Sequence, residues 1–245
     1  MKRLEIVQAI ADSLNARTYL EIGIAKGYNF WFINAKIKFG VDPEPQINPP
    51  LFHVIKRKVK KMLFFEKEVI FKMTSDEFFL KYPSLLNKYK IKVVFIDGLH
   101  TYNQSLKDVL NCLKYLDKNG IILMHDCSPT SELKGYPAAS IEDMKKLNFP
   151  DYDGAWSGDV WKTIVNLRSL RNDLKVFVIN DATGIGVITK GKPENMLSYS
   201  ESEINKMTYK DLELNRKSLL NIKHPDYFYA FLSDLTVNKN TGRPS

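Results

Sequence analysis

The chain alternates short apolar runs with amphipathic segments. Tyr19 to Ile24 is apolar apart from Glu21 and ends in glycine chemistry. Ile37 to Val41 stops at Asp42-Pro43, Val69 to Met73 at Thr74-Ser75-Asp76, Lys92 to Ile96 at Asp97-Gly98, and Gly120 to Met124 at His125-Asp126. Each run is short, rich in β-branched or aromatic residues and bounded by turn formers, the pattern of strands buried on both faces of a parallel sheet. Helices are predicted between them, over Tyr28 to Lys36, Pro50 to Phe65, Asp76 to Lys88 and Asn103 to Asp117. Ahead of the first strand, Leu4, Val7, Ile10, Ala11 and Leu14 fall at helical spacing, which predicts an amphipathic helix over 2–16. Strand alternating with helix implies a doubly wound α/β sheet of Rossmann-like type, five parallel strands with helices on both faces. Two later runs, Leu174 to Ile179 and Gly184 to Thr189, are separated only by Asn180-Asp181-Ala182-Thr183. So short a link permits a hairpin and forbids a parallel crossover, so the sheet should end in an antiparallel pair.

The remaining segments fit one domain over 1–245, with its core at about 19–190. Ser128 to Asp159 is rich in Pro, Gly, Ser and Tyr, with one helical patch at Ile141 to Leu147; ordered loops of this length are usually functional. Asp159 to Arg171 reads as a helix, and 195–237 as a helical extension carrying an aromatic end-patch of Tyr227, Phe228, Phe231 and Leu232. Asn238 to Ser245 reads as a frayed end.

Composition narrows the class. The chain has 245 residues, 44% hydrophobic and 26% charged, which excludes a disordered, collagenous or disulfide-stapled protein. A net charge of +8 favours anionic partners such as nucleotides, phosphorylated sugars, nucleic acid or an anionic membrane face, and equally fits a Lys-rich proteome. Two isolated cysteines, Cys112 and Cys127, suggest a reducing compartment without structural disulfides. No apolar stretch approaches the roughly 20 residues that cross a bilayer. The expectation is a cytoplasmic protein without membrane insertion; self-association is compatible with the pattern and not specified by it.

In an open α/β sheet, ligands bind at the carboxyl ends of the strands. Here those ends collect Glu21, Gly23, Gly27, Asp42, Ser75, Asp76, Asp97, His100, His125 and Asp126. Each has a structural alternative: Asp42 as a turn residue before Pro43, Ser75 or Asp76 as a helix cap. Repetition at five consecutive strand ends favours a ligand site. In Glu21-Ile22-Gly23-Ile24-Ala25-Lys26-Gly27 the third glycine of the nicotinamide fingerprint G-x-G-x-x-G is absent. An acid within the first strand and two glycines four apart fit S-adenosylmethionine better, since that ligand has no pyrophosphate to cradle. Asp42, ending the second strand, is placed where a carboxylate can accept both ribose hydroxyls.

With these residues in view, the sequence resembles the class I S-adenosylmethionine-dependent methyltransferases. More narrowly, it is similar to the bacterial methyltransferase domain 24 family, which includes O-methyltransferases of glycans and of sugars in natural products. The matching motifs are Tyr19-Leu20-Glu21-Ile22-Gly23, Val41-Asp42-Pro43, Thr74-Ser75-Asp76-Glu77-Phe78-Phe79, Asp97-Gly98-x-His100-x-Tyr102 with Asp108, and His125-Asp126. They span roughly Tyr19 to Lys190. The resemblance implies that Glu21, Gly23 and Gly27 line the methionine end of the cofactor, Asp42 holds the ribose, Ser75 and Asp76 flank the adenine, and Asp97 lies between cofactor and acceptor. Some relatives carry Asp-Gly-Asp-His where this chain has Asp97-Gly98-Leu99-His100, so an acid proposed as base in those relatives is missing at Leu99.

Methyl transfer to a hydroxyl requires an aligned acceptor and removal of its proton. His100 is the first candidate for the base and His125 the second; either could instead hydrogen-bond a neighbouring loop. Asp97 and Asp126 at adjacent strand ends offer hard oxygen ligands for Mg²⁺ or Mn²⁺, which would lower the pKa of an acceptor hydroxyl. Without a metal, Asp97 would contact cofactor or backbone only. Trp156, in the loop, is the candidate wall over the acceptor and Trp161 a core residue. Asp108 is expected to face solvent or cap a local contact. The basic run Ile55 to Lys61 reads as a solvated helix face before a nucleic-acid footprint. The expected activity is O-methylation of a sugar, a glycan or a related small molecule. A nucleic-acid methyltransferase would show an Asn-Pro-Pro-Tyr type signature where this chain has Asp97-Gly98, and a non-catalytic binding protein would not need the acids kept here.

Overall fold

The computed structural model describes residues 2–47, 54 and 67–241. In chain order the elements are α1 (Arg3–Ser13), β1 (Thr18–Ile22), α2 (Tyr28–Phe32), β2 (Ile37–Asp42), β3 (Lys67–Lys72), α3 (Ser75–Lys81), α4 (Pro83–Tyr89), β4 (Ile91–Ile96), α5 (Tyr102–Tyr115) and β5 (Leu116–Met124). They continue with α6 (Ile141–Lys146), α7 (Trp161–Leu170), β6 (Leu174–Ile179), β7 (Ile185–Lys190), α8 (Glu201–Lys206), α9 (Tyr209–Leu220), β8 (Ile222–Lys223) and α10 (Pro225–Thr241). The strands form one sheet in the order β3-β2-β1-β4-β5-β7-β6-β8. β1 to β5 are parallel, and β7 runs antiparallel between β5 and β6, as the four-residue link requires. The five-plus-two arrangement expected of the α/β class is therefore present.

Strand period divides the core in two. Leu20, Ile22, Val94, Ile96, Ile122 and Met124 pack on one face with α3, α4, α5, α7, α8 and α9. Tyr19, Val93, Phe95, Ile121 and Leu123 pack on the other with α1, α2 and α10. Both faces are covered, which is why the strands read as near-continuous apolar runs. The order reverses at β1, between β2 and β4, and a crevice opens there at the carboxyl ends.

Several boundaries differ from the pattern, each for a local reason. The helix expected over Tyr28 to Lys36 ends at Phe32, because Ile33 is extended and returns the chain to the sheet. The segment Asp76 to Lys88 is two helices; Pro83 has no N–H to continue the first and opens the second. The extension is not purely helical, since β8 adds two residues parallel to β6. α10 runs to Thr241, past the point expected to fray. The helix expected over Pro50 to Phe65 lies outside the described residues except for Val54, as does the basic run Ile55 to Lys61. Among the described residues no helix is long and apolar enough to cross a membrane.

Two contacts connect the scaffold to the crevice. Arg216 of α9 donates to Ser128 Oγ at 2.8 Å and to the Pro129 carbonyl at 2.7 Å, holding the segment that leaves β5. Lys38, buried on β2, donates to the Phe30 and Ile33 carbonyls at 2.9 and 3.2 Å and pairs with Glu68 of β3 at 2.6 Å. This ammonium satisfies the carbonyl end of α2, which has too few residues to stand alone, and so fixes the helix that follows the glycine turn. Lys38→Met should destabilise the protein by about 3 kcal/mol, since the Phe30 and Ile33 carbonyls lose a buried donor and the ion pair with Glu68 is broken; urea denaturation followed by circular dichroism measures the loss.

Candidate active site

The glycine turn brings the ends of β1 and β4 together. Gly23 has φ +81°, and a Cβ there would lie 2.0 Å from the Asp97 carbonyl oxygen, so only glycine permits the approach. The Gly23 N–H donates to the Val41 carbonyl and the Asp97 N–H to the Ile22 carbonyl, both at 2.8 Å. Gly27 also has positive φ, +74°, at the start of α2. Asp42 closes the turn from β2: its Oδ2 accepts from the Ala25 N–H and its Oδ1 from the Glu44 N–H, each at 2.8 Å.

Two clefts meet over this turn. One, of about 460 Å³, is lined by Arg3, Glu21, Asn29 and Glu44 among others. The second, of about 480 Å³, is lined by Thr74, Ser75, Asp76, Leu99, Gln104 and Asp108 among others. Gly23, Ala25, Asp42 and Asp97 belong to both, so Asp42 stands where the two halves join. The first half holds acids in unequal states. Glu21 is 1% exposed and accepts from the Tyr19 hydroxyl at 2.6 Å. Burial pushes its carboxyl up to about 8, the Tyr19 bond opposing and the Asp97 charge adding to the rise. Burial would raise Asp97 too, but hydrogen bonds from His100 and His125 hold it well below the usual carboxylate range.

Asp97 splits its two oxygens. Oδ2 accepts from Arg3 Nη1 at 2.7 Å, toward the cleft. Oδ1 faces His100 Nε2 at 3.4 Å and His125 Nδ1 at 3.3 Å. Asp126, just past β5 with φ +59°, completes the cluster. Its Oδ2 lies 2.9 Å from His125 Nδ1 and 3.5 Å from His100 Nε2, and its Oδ1 accepts from the Ser157 hydroxyl at 2.8 Å. His100 Nδ1 sits 2.6 Å from the Trp156 carbonyl. A carbonyl only accepts, so Nδ1 carries a proton, and Nε2 faces the two carboxylates, to which it donates when the ring is charged. Burial opposes protonation of both rings, and the two aspartates outweigh it, raising His100 and taking His125 to about 9.

The second half is a polar network around α3 and α5. The Ser75 hydroxyl donates to Asp108 Oδ1 at 2.6 Å. The Gln104 amide donates to Asp108 Oδ1, Ser75 Oγ and Asp76 Oδ1 at 3.0, 3.1 and 3.3 Å. Lys107 pairs with Asp76 at 2.6 Å. Asp108 is 1% exposed, which corrects the expectation that it faces solvent. A signal was present: residue 108 lies in the inward stripe Tyr102, Ser105, Val109, Cys112 of α5. Trp156 is a second correction. It is 7% exposed, donates its indole N–H to the Tyr136 carbonyl and packs its ring 5.6 Å from that of His100, so it backs a histidine and does not wall an open pocket. Trp161 is core, as read.

The two clefts and the cluster beside them bring together Glu21, Gly23 and Asp42 around the glycine turn, Ser75 and Asp76 at the second cleft, and Asp97, His100, His125 and Asp126 in one cluster, whereas Gly27 lies behind the turn at the start of α2 and lines neither cleft. Arg3, Gln104 and Ser157 were not foreseen. Nothing in the helical pattern of 2–16 marks Arg3, and Ser157 is brought to Asp126 by loop folding alone.

Comparison with known proteins agrees with this architecture. Residues 20–127 match a family model described as a methyltransferase domain. A search of curated proteins gives no match. Among solved structures, the O-methyltransferase TomG from Streptomyces achromogenes, involved in tomaymycin synthesis and crystallised with S-adenosylmethionine, is 14% identical, with 77% of this chain and 79% of that chain covered and a TM-score of 0.50. An O-methyltransferase from Bacillus cereus in complex with SAH is 12% identical, with 78% and 82% covered and a TM-score of 0.47. MycE, from the mycinamycin biosynthetic pathway and crystallised with Mg, SAH and mycinamycin VI, is 12% identical, with 75% of this chain but 47% of that chain covered and a TM-score of 0.42. At these identities the TomG likeness speaks for the fold, which is the class I methyltransferase fold.

The Asp108 network makes a pH-dependent prediction. Burial, opposed by the Ser75 and Gln104 bonds, pushes this carboxyl up to about 6. The folded pKa is above the unfolded one, so the destabilisation is absent below about pH 4 and grows as pH rises toward 6. Asp108→Asn keeps the oxygen that Ser75 and Gln104 use and removes the charge. It should raise stability at pH 7.5 by on the order of 2 kcal/mol and leave it nearly unchanged at pH 4, as urea midpoints at the two pH values will report.

Proposed function

We propose, on the premise that residues 20–127 form a class I methyltransferase domain, that the chain transfers the methyl group of S-adenosylmethionine to a hydroxyl of a small molecule, with a sugar or glycan intermediate as the preferred acceptor class. The observation that carries the reading is the joined pair of clefts with Asp42 at the junction: an acid-lined half for an amino-acid end and a polar half for a base, with a ribose-holding carboxylate between. The residues present fit the cofactor. The Gly23 approach leaves backbone where a Cβ would intrude, and Glu21, buried with no cation bonded to it among the described residues, would gain an ion partner when an ammonium arrives.

S-adenosylmethionine, when bound, supplies an electrophilic methyl on a sulfonium. Glu21 and Asp97 hold the ammonium of the amino-acid end. Asp42 accepts from the ribose hydroxyls through lone pairs beyond those taken by Ala25 and Glu44, since a carboxylate has about four such sites. Ser75 and Asp76 flank the adenine. On the acceptor side, Asp97 and Asp126 orient the hydroxyl beside His100, whose Nε2 accepts its proton from the neutral form of the ring while the Trp156 carbonyl keeps the ring turned and the two aspartates stabilise the imidazolium that forms. The same donor set suits a divalent cation: Asp97, His100 and Asp126 each offer one ligand atom within 4.8 Å of the others, two hard carboxylates and an imidazole oriented through its second nitrogen. Mg²⁺ or Mn²⁺ held by Asp97 and Asp126, with His100 adjacent, would lower the pKa of the acceptor hydroxyl. A cytoplasmic setting is in keeping with Cys112 and Cys127, both buried and unpaired.

Two experiments test the reading. Asp42→Ala should weaken S-adenosylhomocysteine binding about tenfold or more, the worth of paired bonds to a charged acceptor, as titration calorimetry will show; unchanged affinity removes the ribose assignment. His100→Ala should lower kcat by about two orders of magnitude or more while cofactor affinity stays within about twofold. Assayed beside it, wild-type turnover in excess chelator decides the metal: loss restored by Mg²⁺ or Mn²⁺ supports the cation, and undiminished turnover leaves His100 and the two aspartates to act alone.

A further inference from the structure

Building on the cofactor reading above, we propose that Arg3 binds the carboxylate of the cofactor's amino-acid end, which makes α1 part of the cofactor site. The amino-acid end is a zwitterion, and each charge needs a partner once it leaves bulk water. The first cleft is crowded with acids, Glu21, Asp42, Glu44 and Asp97. They suit the ammonium and would repel the carboxylate.

Among the described residues two cations line that cleft, Arg3 and Lys26. Lys26 is exposed at the turn. Arg3 is half-buried and held from two sides: its Nη1 donates to Asp97 Oδ2 at 2.7 Å, and its guanidinium carbon lies 5.9 Å from the centre of the Phe95 ring. A guanidinium has five N–H donors in a rigid fork that matches a carboxylate, and among the described residues Asp97 uses one. α1 packs on the face of the sheet that carries Tyr19 and Phe95, which sets Arg3 above Asp97. An acid for the ammonium and a base for the carboxylate thus stand in contact, as two groups on one carbon of the ligand require. Asp97 orients the guanidinium before the cofactor arrives, and its other oxygen belongs to the His100 cluster.

Titration calorimetry on the whole chain tests this with three probes: S-adenosylhomocysteine; S-adenosyl-3-thiopropylamine, which is the same molecule without its carboxylate; and 5′-methylthioadenosine, which has no amino-acid end. The wild-type protein should prefer S-adenosylhomocysteine over the decarboxylated probe by about tenfold or more, as expected for a charge-assisted pair. Arg3→Gln should bring that preference to within about twofold of unity while 5′-methylthioadenosine binds as before. A preference unchanged in Arg3→Gln, or one abolished by Lys26→Gln in its place, overturns the assignment. If Arg3→Gln does not fold, the wild-type ratio decides, a value near unity refuting the assignment and one above about ten supporting it. Binding of 5′-methylthioadenosine with an unchanged preference removes Arg3 alone; failure of all three probes to bind removes the cofactor reading and this assignment with it.

Discussion

The close passage of β1 and β4 at Gly23 and Asp97 is the constraint on which the site depends. Parallel strands joined through helices have no covalent reason to bring their carboxyl ends to one point. Here the absence of a side chain at residue 23 lets two backbones touch, and the Asp97 N–H and Ile22 carbonyl lock the contact. Asp97 is thereby fixed on the ridge between two clefts and the histidine cluster. Its carboxylate can then serve both sides, one oxygen on Arg3 and the other facing His100 and His125. On the proposed function, a residue that bridges the cofactor and acceptor sides would transmit small displacements of either to the other, which suits an in-line transfer whose geometry tolerates little error.

Much of this arrangement was legible in the residues, because parallel strands and their ends write strong local signals. The apolar runs placed all five parallel strands to within a few residues, and the four-residue link at 180–183 forced the antiparallel pair. Polar residues at strand ends pointed to the crevice, since a chain that has just left a buried strand has no structural need for so many acids and imidazoles. The illegible parts are those set by tertiary contact. Arg3 sits in an ordinary amphipathic helix, and only the docking of α1 on the sheet brings it to Asp97. Trp156 read as an exposed aromatic because loop sequence says little about what will cover it. Asp108 was misplaced for a different reason: a lone acid on an apolar stripe looks like an irregularity until Ser75 and Gln104 supply its donors. The break at Pro83 and the short α2 reflect chain breakers and return geometry that helical periodicity overlooks.

The electrostatics of the crevice run against those of the molecule. The chain carries a net charge of +8, yet its clefts are lined by Glu21, Asp42, Glu44, Asp76, Asp97 and Asp108. A surface built to follow a phosphate backbone would place its cations along the binding groove. Among the described residues, the acids of the crevice favour a ligand that is itself cationic. The methyl donor carries a sulfonium and an ammonium against one carboxylate, whereas the product left after transfer has lost the sulfonium charge. On the proposed function, these acids would favour the sulfonium form of the cofactor over the spent form.

Burial sharpens that bias through Glu21. In water this carboxyl would be ionised and the cleft would repel a carboxylate without discrimination. Enclosed beside Tyr19, it keeps its proton to about pH 8 while no ammonium is near, so the ligand-free cleft avoids the repulsion of two neighbouring anions, Glu21 and Asp97. On the proposed function an arriving ammonium would reverse the balance, because an opposite charge at contact outweighs the desolvation that had held the proton in place. Asp97 needs no such adjustment, being ionised already through Arg3 and the two imidazoles. One acid is thus kept charged by its neighbours, and the other is kept neutral by burial. The difference follows from position: Asp97 lies on the ridge beside Arg3 and two imidazoles, and Glu21 lies inside the first strand, bonded to the Tyr19 hydroxyl.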